Sequence, residues 1–413
     1  MPTAAQEQQP GRAVCLRYPR LTVSRVQPSL IVVNQTVNPA FNGWLEAFAQ
    51  GNGPVGLLSG NAPSTLAPGV VVHRCTAYDR SSAGARLRAW VRFTLEATWW
   101  LLRSKSDVPL FVVTNPPLMP LAAWLLHKVQ GRRFGLLEWD IYPQVLEATG
   151  LLGSKHILYR LWRSWHGCAL RAADVVITIG EQMADVLRET SGEPALEISV
   201  IPNWVDTDWI HPLGQENNAF ARTQGLDDKL VVLYSGNLGA THAIETIIWV
   251  AEKLSDSQDI VFLVVGEGAK RAVVEDAIAA GRVPNLRLLP RQPDSLFPQV
   301  LAGAHIGIVT LAGGHEGLSM PSKTYDLMAA GTAILGISKS PNDLERVIRQ
   351  HGCGVNFSPD SVSAIAAWIQ GAASDAEGLG RLREASRRAA VRNYGTESVS
   401  GALAEAVRAR LLS

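Results

Sequence analysis

The sequence predicts an α/β protein with two doubly wound parallel-sheet domains that face a cleft. Short apolar runs rich in β-branched residues alternate with helix-length segments along almost all of the 413 residues. Strands that are apolar at every position are typical of a parallel sheet covered by helices on both faces. Thirteen such runs are more than one ordinary open sheet holds, so we expect two sheets.

The predicted strands follow the apolar runs in chain order. In the first half they are Leu30–Val33, Val55–Ser59, Val70–His73, Leu110–Thr114, Phe134–Leu137, Val175–Ile179 and Ser199–Ile201. In the second half they are Leu230–Tyr234, Ile260–Val265, Leu286–Leu289, Ile306–Val309, Ala333–Ile337 and Gly354–Phe357.

The break between the domains is expected in the segment Ile201–Pro212, which is followed by a polar stretch over residues 214–218. We therefore predict an N-terminal extension (1–28, for which a flexible chain is one interpretation), a first domain (29–208), a second domain (209–390) and a C-terminal helix (391–413) that packs back toward the first domain. A ligand would bind between the domains, at the carboxyl ends of the strands.

Composition excludes several classes of protein. Lys and Arg number 38 against 37 Asp and Glu, so no nucleic-acid partner is expected. The four cysteines, Cys15, Cys75, Cys168 and Cys353, form no CxxC pair, which favours a reducing compartment. The apolar stretch Leu118–Leu126 is far shorter than the ~20 residues of a spanning helix, and residues 1–28 lack a signal-peptide pattern. We expect a cytoplasmic protein.

Two familiar motifs are incomplete. Gly266-Glu-Gly268 follows a predicted strand, but Arg271 breaks the GxGxxG fingerprint, which disfavours a nicotinamide dehydrogenase. Asp206 and Asp208 have the spacing of a metal-binding pair, yet they lie in the linker, where Asp commonly caps turns. No metal site is predicted.

A glycine-containing turn, Tyr234–Gly239, lies between a predicted strand and a helix that begins near Ala243. Backbone N–H groups at such a turn favour a phosphate. A strand-to-helix turn that needs glycine only for its geometry remains an equal alternative.

The segment His315–Thr332 runs through a polar loop into a short helix that ends at Gly331. Lys323 is expected in the first turn, where the helix dipole disfavours a cation unless the cation faces an anion. Asp326 lies three residues later on the same face. An ammonium for a diphosphate and a carboxylate for ribose hydroxyls suit a nucleotide sugar. The alternative is a solvated Lys–Asp pair on a surface helix.

These segments, together with Ile201–Pro212, Glu138–Pro143 and Ala173–Ile179, resemble a GT-B fold glycosyltransferase of family 4 (group 1). The nearest type is the bacterial enzymes that build surface polysaccharide and O-antigen units, and the resemblance covers residues 30 to 400. It implies two Rossmann-like domains, with the acceptor on the first and a nucleoside-diphosphate sugar on the second. It also implies transfer with retention, without a metal or other cofactor.

The resemblance also assigns roles to individual residues. The family has two glutamates separated by seven residues; Glu316 stands for the first, and Asp326 replaces the second at a longer spacing. Asn237 and His242 stand where the family often has Arg and Lys. The catalytic candidates are Lys323, Glu316 and Asp140. The donor-binding candidates are Gly236, Asn237, His242, Gly266, Arg291, Gly317, Leu318, Ser319, Ser322 and Asp326.

Two of these assignments have competing interpretations. Asp140, after the fifth strand, is expected to position the acceptor or assist proton transfer, or else to cap a helix before Pro143. Arg291 is either a phosphate ligand or a surface arginine.

The acceptor side contains a basic segment. Residues 80–175 carry 13 Lys and Arg against 6 Asp and Glu, a net charge of +7. Arginines interleave with aromatic residues there, for example Arg92 with Trp90 and Phe93 and Arg103 with Trp99. This pattern favours an interfacial helix on anionic lipid, which would bring the enzyme to a glycan or polyprenyl-diphosphate-linked acceptor at the inner face of the plasma membrane. The alternative is that the aromatic residues are core and the arginines are solvated.

Two other functions remain open. A nucleotide-sugar epimerase with the same fold would need more acid and base side chains in the cleft. A degenerate, glycosyltransferase-like scaffold subunit would release no nucleoside diphosphate.

Overall fold

The computed structural model describes residues 27–63, 68–79, 81–214, 217–239, 242–311 and 313–413. Cys15 and almost all of the predicted extension, 1–28, lie outside the described residues. Among the described residues, no helix is long and apolar enough to cross a bilayer.

The chain folds around two parallel sheets. The first contains β1 (Leu30–Val33), β2 (Val55–Ser59), β3 (Val70–Arg74), β4 (Leu110–Val113), β5 (Phe134–Glu138), β6 (Val175–Thr178) and β7 (Ser199–Val200). The second contains β8 (Leu230–Ser235), β9 (Ile260–Val265), β10 (Leu286–Leu289), β11 (Ile306–Thr310), β12 (Ala333–Ile337) and β13 (Gly354–Phe357). All thirteen predicted strands are present, each within one residue of its predicted end. The predicted two-sheet α/β fold is confirmed.

Helices cover the sheets. They are α1 (Pro39–Asn52), α2 (Ala83–Arg103), α3 (Met119–Gln130), α4 (Gln144–Ala148), α5 (Ile157–Ala172), α6 (Glu181–Ser191), α7 (Ala219–Thr223), α8 (Ile244–Lys253), α9 (Arg271–Ala279), α10 (Phe297–Ala302), α11 (Lys323–Ala329), α12 (Asp343–His351), α13 (Val362–Ser374), α14 (Ala376–Asn393) and α15 (Thr396–Leu411).

The strand orders place a ligand cleft between the sheets. The orders are β3-β2-β1-β4-β5-β6-β7 and β10-β9-β8-β11-β12-β13. In each sheet the strands are added first on one side of the first strand and then on the other. The strand order therefore reverses between β1 and β4 in the first sheet, and between β8 and β11 in the second. Ligands of doubly wound sheets bind at this switch point, outside the carboxyl ends of the strands. The two switch points face each other, since Asp140 after β5 forms a backbone bridge with Ser319 after β11.

The start of α1 is set by Asn38, which follows β1. Its Oδ1 accepts a hydrogen bond from the Phe41 backbone N–H at 2.7 Å, and Pro39 occupies the first turn. Phe41, Trp44 and Phe48 then lie on one helical face and are fully buried. The helix is therefore fixed at its N-terminal end, next to the cleft.

The chain crosses between the domains at two neighbouring points. The Val205 backbone N–H donates to the Tyr394 carbonyl at 2.9 Å, and Thr396 donates to the Val205 carbonyl at 3.1 Å. Helix α14 ends at Asn393 and α15 begins at Thr396, so residues 391–413 do not form one continuous helix. The buried residues of α15, Leu403 among them, join the hydrophobic cluster of the first domain.

A second junction links α6 to α12. Asp343, the first residue of α12, accepts hydrogen bonds from the Gln182 backbone N–H at 3.2 and 3.1 Å. Gly180 precedes α6 and offers no side chain for a cap; a Cβ there would lie 2.2 Å from Asp343 Oδ2. A carboxylate of the second domain thus caps a helix of the first domain.

Arg132 closes the C-terminal end of α2 from inside the first domain. Its side chain is fully buried, and Nη2 donates to the carbonyls of Leu101, Ser104 and Lys105. Leu101 lies in the last turn of α2, and Ser104 and Lys105 directly follow the helix, so Arg132 donates to carbonyls at and just beyond the helix end.

Arg132→Met should therefore destabilise the protein. The substitution removes the hydrogen bonds that Arg132 donates to three carbonyls at the end of α2, and we expect the free energy of unfolding to fall by about 2–4 kcal/mol. Urea denaturation followed by tryptophan fluorescence would measure the change.

The matched control is Lys128→Met, the same substitution at an exposed position four residues earlier. It should cost less than about 1 kcal/mol. Equal losses for the two variants would contradict the assignment of Arg132 as a buried cap.

Candidate active site

A cavity of about 410 Å³ lies between the two sheets at their switch points. The first domain contributes Asn38, Ala40, Trp139, Asp140, Ile179, Asn203 and Trp204 to its lining. The second domain contributes His242, Thr310, Leu311, His315, Ser319, Met320, Pro321, Ser322 and Lys323. Of the residues predicted from the sequence, the cavity brings together Asp140, His242, Ser319, Ser322 and Lys323.

Lys323 begins α11, and its side chain points back against the turn that follows β8. The ammonium is buried, lies 4.2 Å from the centroid of the Tyr234 ring, and has no hydrogen-bond partner among the described residues. Burial lowers the pKa of Lys323 to about 8, opposed by the charge of Asp326. A buried cation without a partner at the wall of a cavity is suited to an anionic ligand.

The glycines after β8 and β9 make this position possible. A Cβ on Gly236, whose φ is 139°, would lie 2.9 Å from Lys323 Nζ. A Cβ on Gly266 would lie 1.9 Å from the Gly236 carbonyl oxygen. Both glycines are needed so that the two turns and the lysine can pack together. Neither glycine lines the cavity itself.

Asp326 lies on α11 three residues after Lys323. Burial raises the pKa of its carboxyl to about 7, and the charge of Lys323 opposes this rise. The carboxylate and the ammonium form no ion pair within 4 Å among the described contacts, since Lys323 has no bonded partner there. The pair therefore differs from the solvated surface pair that was the alternative interpretation.

His242 is neutral in this environment. Its Nδ1 lies 2.8 Å from the Tyr234 hydroxyl and 3.2 Å from Thr310 Oγ1. Burial, followed by the charge of Lys323, lowers the pKa of His242 to about 4. His242 therefore supplies hydrogen bonds to the cleft and no positive charge at neutral pH.

The loop over residues 313–320 belongs to the second domain and makes one of its contacts with the first domain. The Leu318 carbonyl accepts a hydrogen bond from the Ile141 backbone N–H at 3.0 Å, and the Leu318 N–H donates to the His315 carbonyl at 3.0 Å. Leu318 is one of the predicted donor-binding residues, but its backbone N–H is used within the loop and is not free to bind a phosphate. Gly317 has a φ of 72° and packs on Gln182 of α6.

Three further predicted residues lie outside the cavity lining. Glu316 Oε2 accepts a hydrogen bond from the Gly314 backbone N–H at 2.6 Å, while its Oε1 is buried without a partner. The Asn237 carbonyl accepts from the Tyr234 hydroxyl at 2.7 Å. Arg291 pairs with Asp294 at 3.1 Å, with 74% of its side chain exposed. Arg291 is therefore not brought to the cavity, and its geometry is that of a surface arginine.

Asp140 follows β5 at the mouth of the cavity. The pKa of Asp140 is raised to about 6, mainly because the carboxyl loses contact with water in the cleft and to a smaller extent because of the nearby Glu138 carboxylate. Glu138 is buried and lies 3.1 Å from His166 Nε2 on α5. The N-cap of α4 is Pro143, with no side-chain cap hydrogen bond, so Asp140 does not cap this helix.

Among the first-domain residues that line the cavity, sequence reasoning missed the aromatic and amide side chains, Asn38, Trp139, Asn203 and Trp204. Each follows a strand of the first sheet: Asn38 after β1, Trp139 after β5, and Asn203 and Trp204 after β7. These residues could have been predicted from their positions just after the carboxyl ends of strands, since these ends meet at the cleft.

The Asp206–Asp208 pair has a structural role. Asp206 Oδ1 accepts hydrogen bonds from the backbone N–H groups of Asp208 and Trp209 at 3.0 and 2.9 Å. This is a local turn cap. In the part of the chain that the structure describes, no group of three or more His, Cys, Asp or Glu side chains could hold a metal ion.

Comparison with known families assigns both halves of the chain. Residues 46–204 match the glycosyl transferase 4-like domain. Residues 216–389 match the glycosyl transferases group 1 family. Together the two matches cover most of the chain, and they meet in the linker between the sheets.

Named relatives agree with these matches. The chain is 29% identical over 318 residues to the probable glycosyltransferase WbjE of Pseudomonas aeruginosa, covering 76% of this chain and 78% of that protein. It is 26% identical over 251 residues to WcaI of Escherichia coli (strain K12), a putative colanic acid biosynthesis glycosyl transferase, covering 60% of this chain and 61% of that protein.

Solved structures share the fold. WaaG, a glycosyltransferase involved in lipopolysaccharide biosynthesis, aligns with a TM-score of 0.69 at 12% identity, over 91% of this chain and 98% of its own. Anabaena HepE in complex with UDP-glucose aligns with a TM-score of 0.69 at 13% identity, over 92% of this chain and 99% of its own. The chain is a glycosyltransferase with the GT-B fold, and it belongs to the group 1 family with a glycosyl transferase 4-like N-terminal domain.

Proposed function

We propose that the protein transfers a sugar from a nucleoside-diphosphate sugar to a glycan or lipid-linked acceptor in surface polysaccharide biosynthesis, with retention and without a metal. The observation that carries this proposal is the buried, unpartnered ammonium of Lys323 against the Gly236 turn. The functions for which WcaI and WaaG are named, and the UDP-glucose bound to HepE, support it.

Lys323 is assigned to the leaving diphosphate. Breaking the anomeric bond leaves negative charge on the diphosphate, and catalysis then depends on donors already aimed at that charge. A buried ammonium interacts more strongly with a phosphate than an exposed one does, because less water screens it. With His242 neutral and Arg291 on the surface, Lys323 is the main positive charge of the described cavity lining.

Asp326 and the loop after β11 complete the donor site in this proposal. The Asp326 carboxylate accepts hydrogen bonds from ribose hydroxyls, one helical turn from the diphosphate. Glu316 has a buried oxygen without a partner, which suits a hydroxyl of the donor sugar. Ser319, Ser322 and the Gly317 backbone supply further hydrogen bonds.

The acceptor hydroxyl needs no dedicated protein base. In a front-face displacement with retention, the leaving phosphate oxygen takes the acceptor proton. Asp140, at the opposite wall of the cavity from Lys323, orients the acceptor hydroxyl.

An exposed apolar surface on the first domain supports membrane contact. Helix α2 exposes Leu87, Val91, Leu95, Trp99 and Leu102, which are spaced at three or four residues and therefore lie on one face. Helices α3 and α5 expose Leu125, Val129, Ile157, Leu158, Leu161 and Trp165. Helix α3 packs against both α2 and α5, so the three helices are neighbours. We refer to these residues as the apolar helix face.

Some aromatic residues of the basic segment are core residues, and others are exposed, as an interfacial helix would require. Trp90 and Phe93 are core residues, at 9% and 0% exposure, whereas Trp99 is 61% exposed with the Arg103 guanidinium 3.1 Å from its ring centroid. Arginines beside an exposed apolar face suit an anionic lipid surface. We infer that this contact brings the cleft to a lipid-linked acceptor.

Lys323→Ala should reduce turnover by about 100- to 1000-fold, since it removes the principal donor to the leaving diphosphate. Release of nucleoside diphosphate from a panel of nucleotide sugars, with added acceptor extract, would measure it. The control is Lys253→Ala, at an exposed position on α8. Turnover near the wild-type value in the Lys323 variant would remove the phosphate role.

Donor affinity should fall as the pH rises through about 8. Lys323 is charged below its pKa of about 8 and loses its proton above it, so UDP affinity should drop by up to tenfold for each further pH unit. Calorimetric titration with UDP from pH 7.5 to 9.5 would measure this.

Lys323→Arg is the diagnostic variant for this pH dependence. A guanidinium stays charged throughout the range, so its UDP affinity should be weaker but nearly independent of pH. The same alkaline fall in both proteins would assign the titration to another group.

Leu95→Glu combined with Trp99→Glu should weaken binding to liposomes that contain anionic lipid by at least about tenfold, because charge replaces the centre of the apolar helix face. Co-sedimentation with phosphatidylglycerol–phosphatidylcholine vesicles would measure it. Trp249→Glu, at an exposed tryptophan of the second domain, is the control and should bind like the wild type. Vesicle binding that the double variant leaves unchanged would contradict the membrane assignment.

A further inference from the structure

The first-domain wall of the cavity is built from two tryptophans on a buried phenylalanine. Phe41 is fully buried, and its ring lies 5.6 Å from that of Trp139 at 79° and 6.4 Å from that of Trp204 at 28°. Trp204 is itself only 9% exposed. Their common contact with Phe41 fixes both indoles in place, so the wall is rigid before any ligand arrives.

Two amide side chains lie beside this wall. Asn38 uses its Oδ1 to cap α1, which leaves its amide nitrogen for a ligand. Asn203 precedes Trp204 and lines the same cavity. An apolar wall with a few placed polar groups is the usual composition of a small-molecule site. Flat aromatic surfaces with amide donors and acceptors suit a sugar ring, which has apolar C–H faces and a rim of hydroxyls.

The charge of this wall excludes an anionic ligand. Among the described first-domain residues that line the cavity there is no Lys or Arg, and Asp140 is the ionisable member. A phosphate needs a cationic partner, and a carboxylate repels it. The cation of the cleft, Lys323, lies on the second-domain wall.

We propose that Asn38, Trp139, Asn203 and Trp204 form the subsite for an uncharged sugar ring of the acceptor, so that the enzyme extends a saccharide and does not glycosylate a phosphate. This inference rests on the proposed glycosyl transfer. A diphosphate carried by a lipid-linked acceptor lies outside this subsite, toward the arginines of the first domain.

The test measures acceptor binding separately from donor binding. Full-length protein saturated with UDP is titrated at pH 8 with a panel of neutral methyl glycosides, with the corresponding sugar phosphates and with amino sugars, and binding is followed by saturation-transfer NMR. Neutral glycosides should bind at least about tenfold more tightly than the phosphates.

Variants locate the binding. Trp204→Ala and Trp139→Ala should each weaken glycoside binding by about tenfold while the UDP dissociation constant stays within about twofold of the wild type. Trp204→Phe should restore most of the affinity, because it keeps an aromatic face. The control is Trp209→Ala, five positions further on, at an indole that is 45% exposed and packs on Phe297 outside the cavity.

Each result supports or overturns the inference. Tighter binding of sugar phosphates or amino sugars than of neutral glycosides would overturn it, as would unchanged glycoside binding in folded Trp204→Ala. If that variant does not fold, Asn203→Ala, in a loop, provides the same test. Failure of the wild type to bind UDP would instead contradict the proposed function, so the two failures are distinguishable.

Discussion

The structure of the cleft depends on one unpaired charge. The Lys323 ammonium is buried against Tyr234 and Gly236 with no described hydrogen-bond partner, an arrangement that costs free energy unless an anion completes it. Gly236 and Gly266 make room for it, and Asp326 limits the fall of its pKa. Substituting either glycine would displace the lysine. The turns of the second domain are therefore packed around a buried cation, to which we assign the diphosphate of the donor.

The two walls of the cleft are held in register by backbone contacts between the domains. Asp343 caps α6 from the second domain, and the Leu318 carbonyl accepts from Ile141 of the first. Residues 205 and 394–396 tie the linker to the start of α15 at the other side. Because these contacts cross the cleft, the distance between Asp140 and Lys323 depends on the closed arrangement of the domains. Closure of this kind excludes water, which would otherwise hydrolyse the donor.

The sequence predicts the strands well and the site in part, for physical reasons. A strand buried on both faces is an unbroken apolar run, so all thirteen were visible. Lys323 and Asp326 were singled out because a lysine in a first helical turn is unusual; of the two, Lys323 lines the cavity. Arg291 pairs with Asp294 three residues later, and the Leu318 N–H donates to the His315 carbonyl three residues earlier. These local turn contacts were not anticipated when phosphate ligands were chosen by residue type. Trp139 and Trp204 were missed because a tryptophan next to a strand is as often core as site.

Charge is distributed across the protein in a way that its near-zero total conceals. The second-domain wall of the cleft carries Lys323, the first-domain wall carries Asp140, and the arginines of α2 and α5 lie on the outer helices of the first domain. In the proposed reaction, the leaving diphosphate is stabilised on the second-domain wall by Lys323, and the neutral acceptor hydroxyl lies at the first-domain wall beside Asp140. This polarity orients the reaction, since exchanging donor and acceptor would place a diphosphate beside a carboxylate. In the proposed membrane contact, the basic helices bind a different anion, outside the cleft, where they do not compete with Lys323 for the donor.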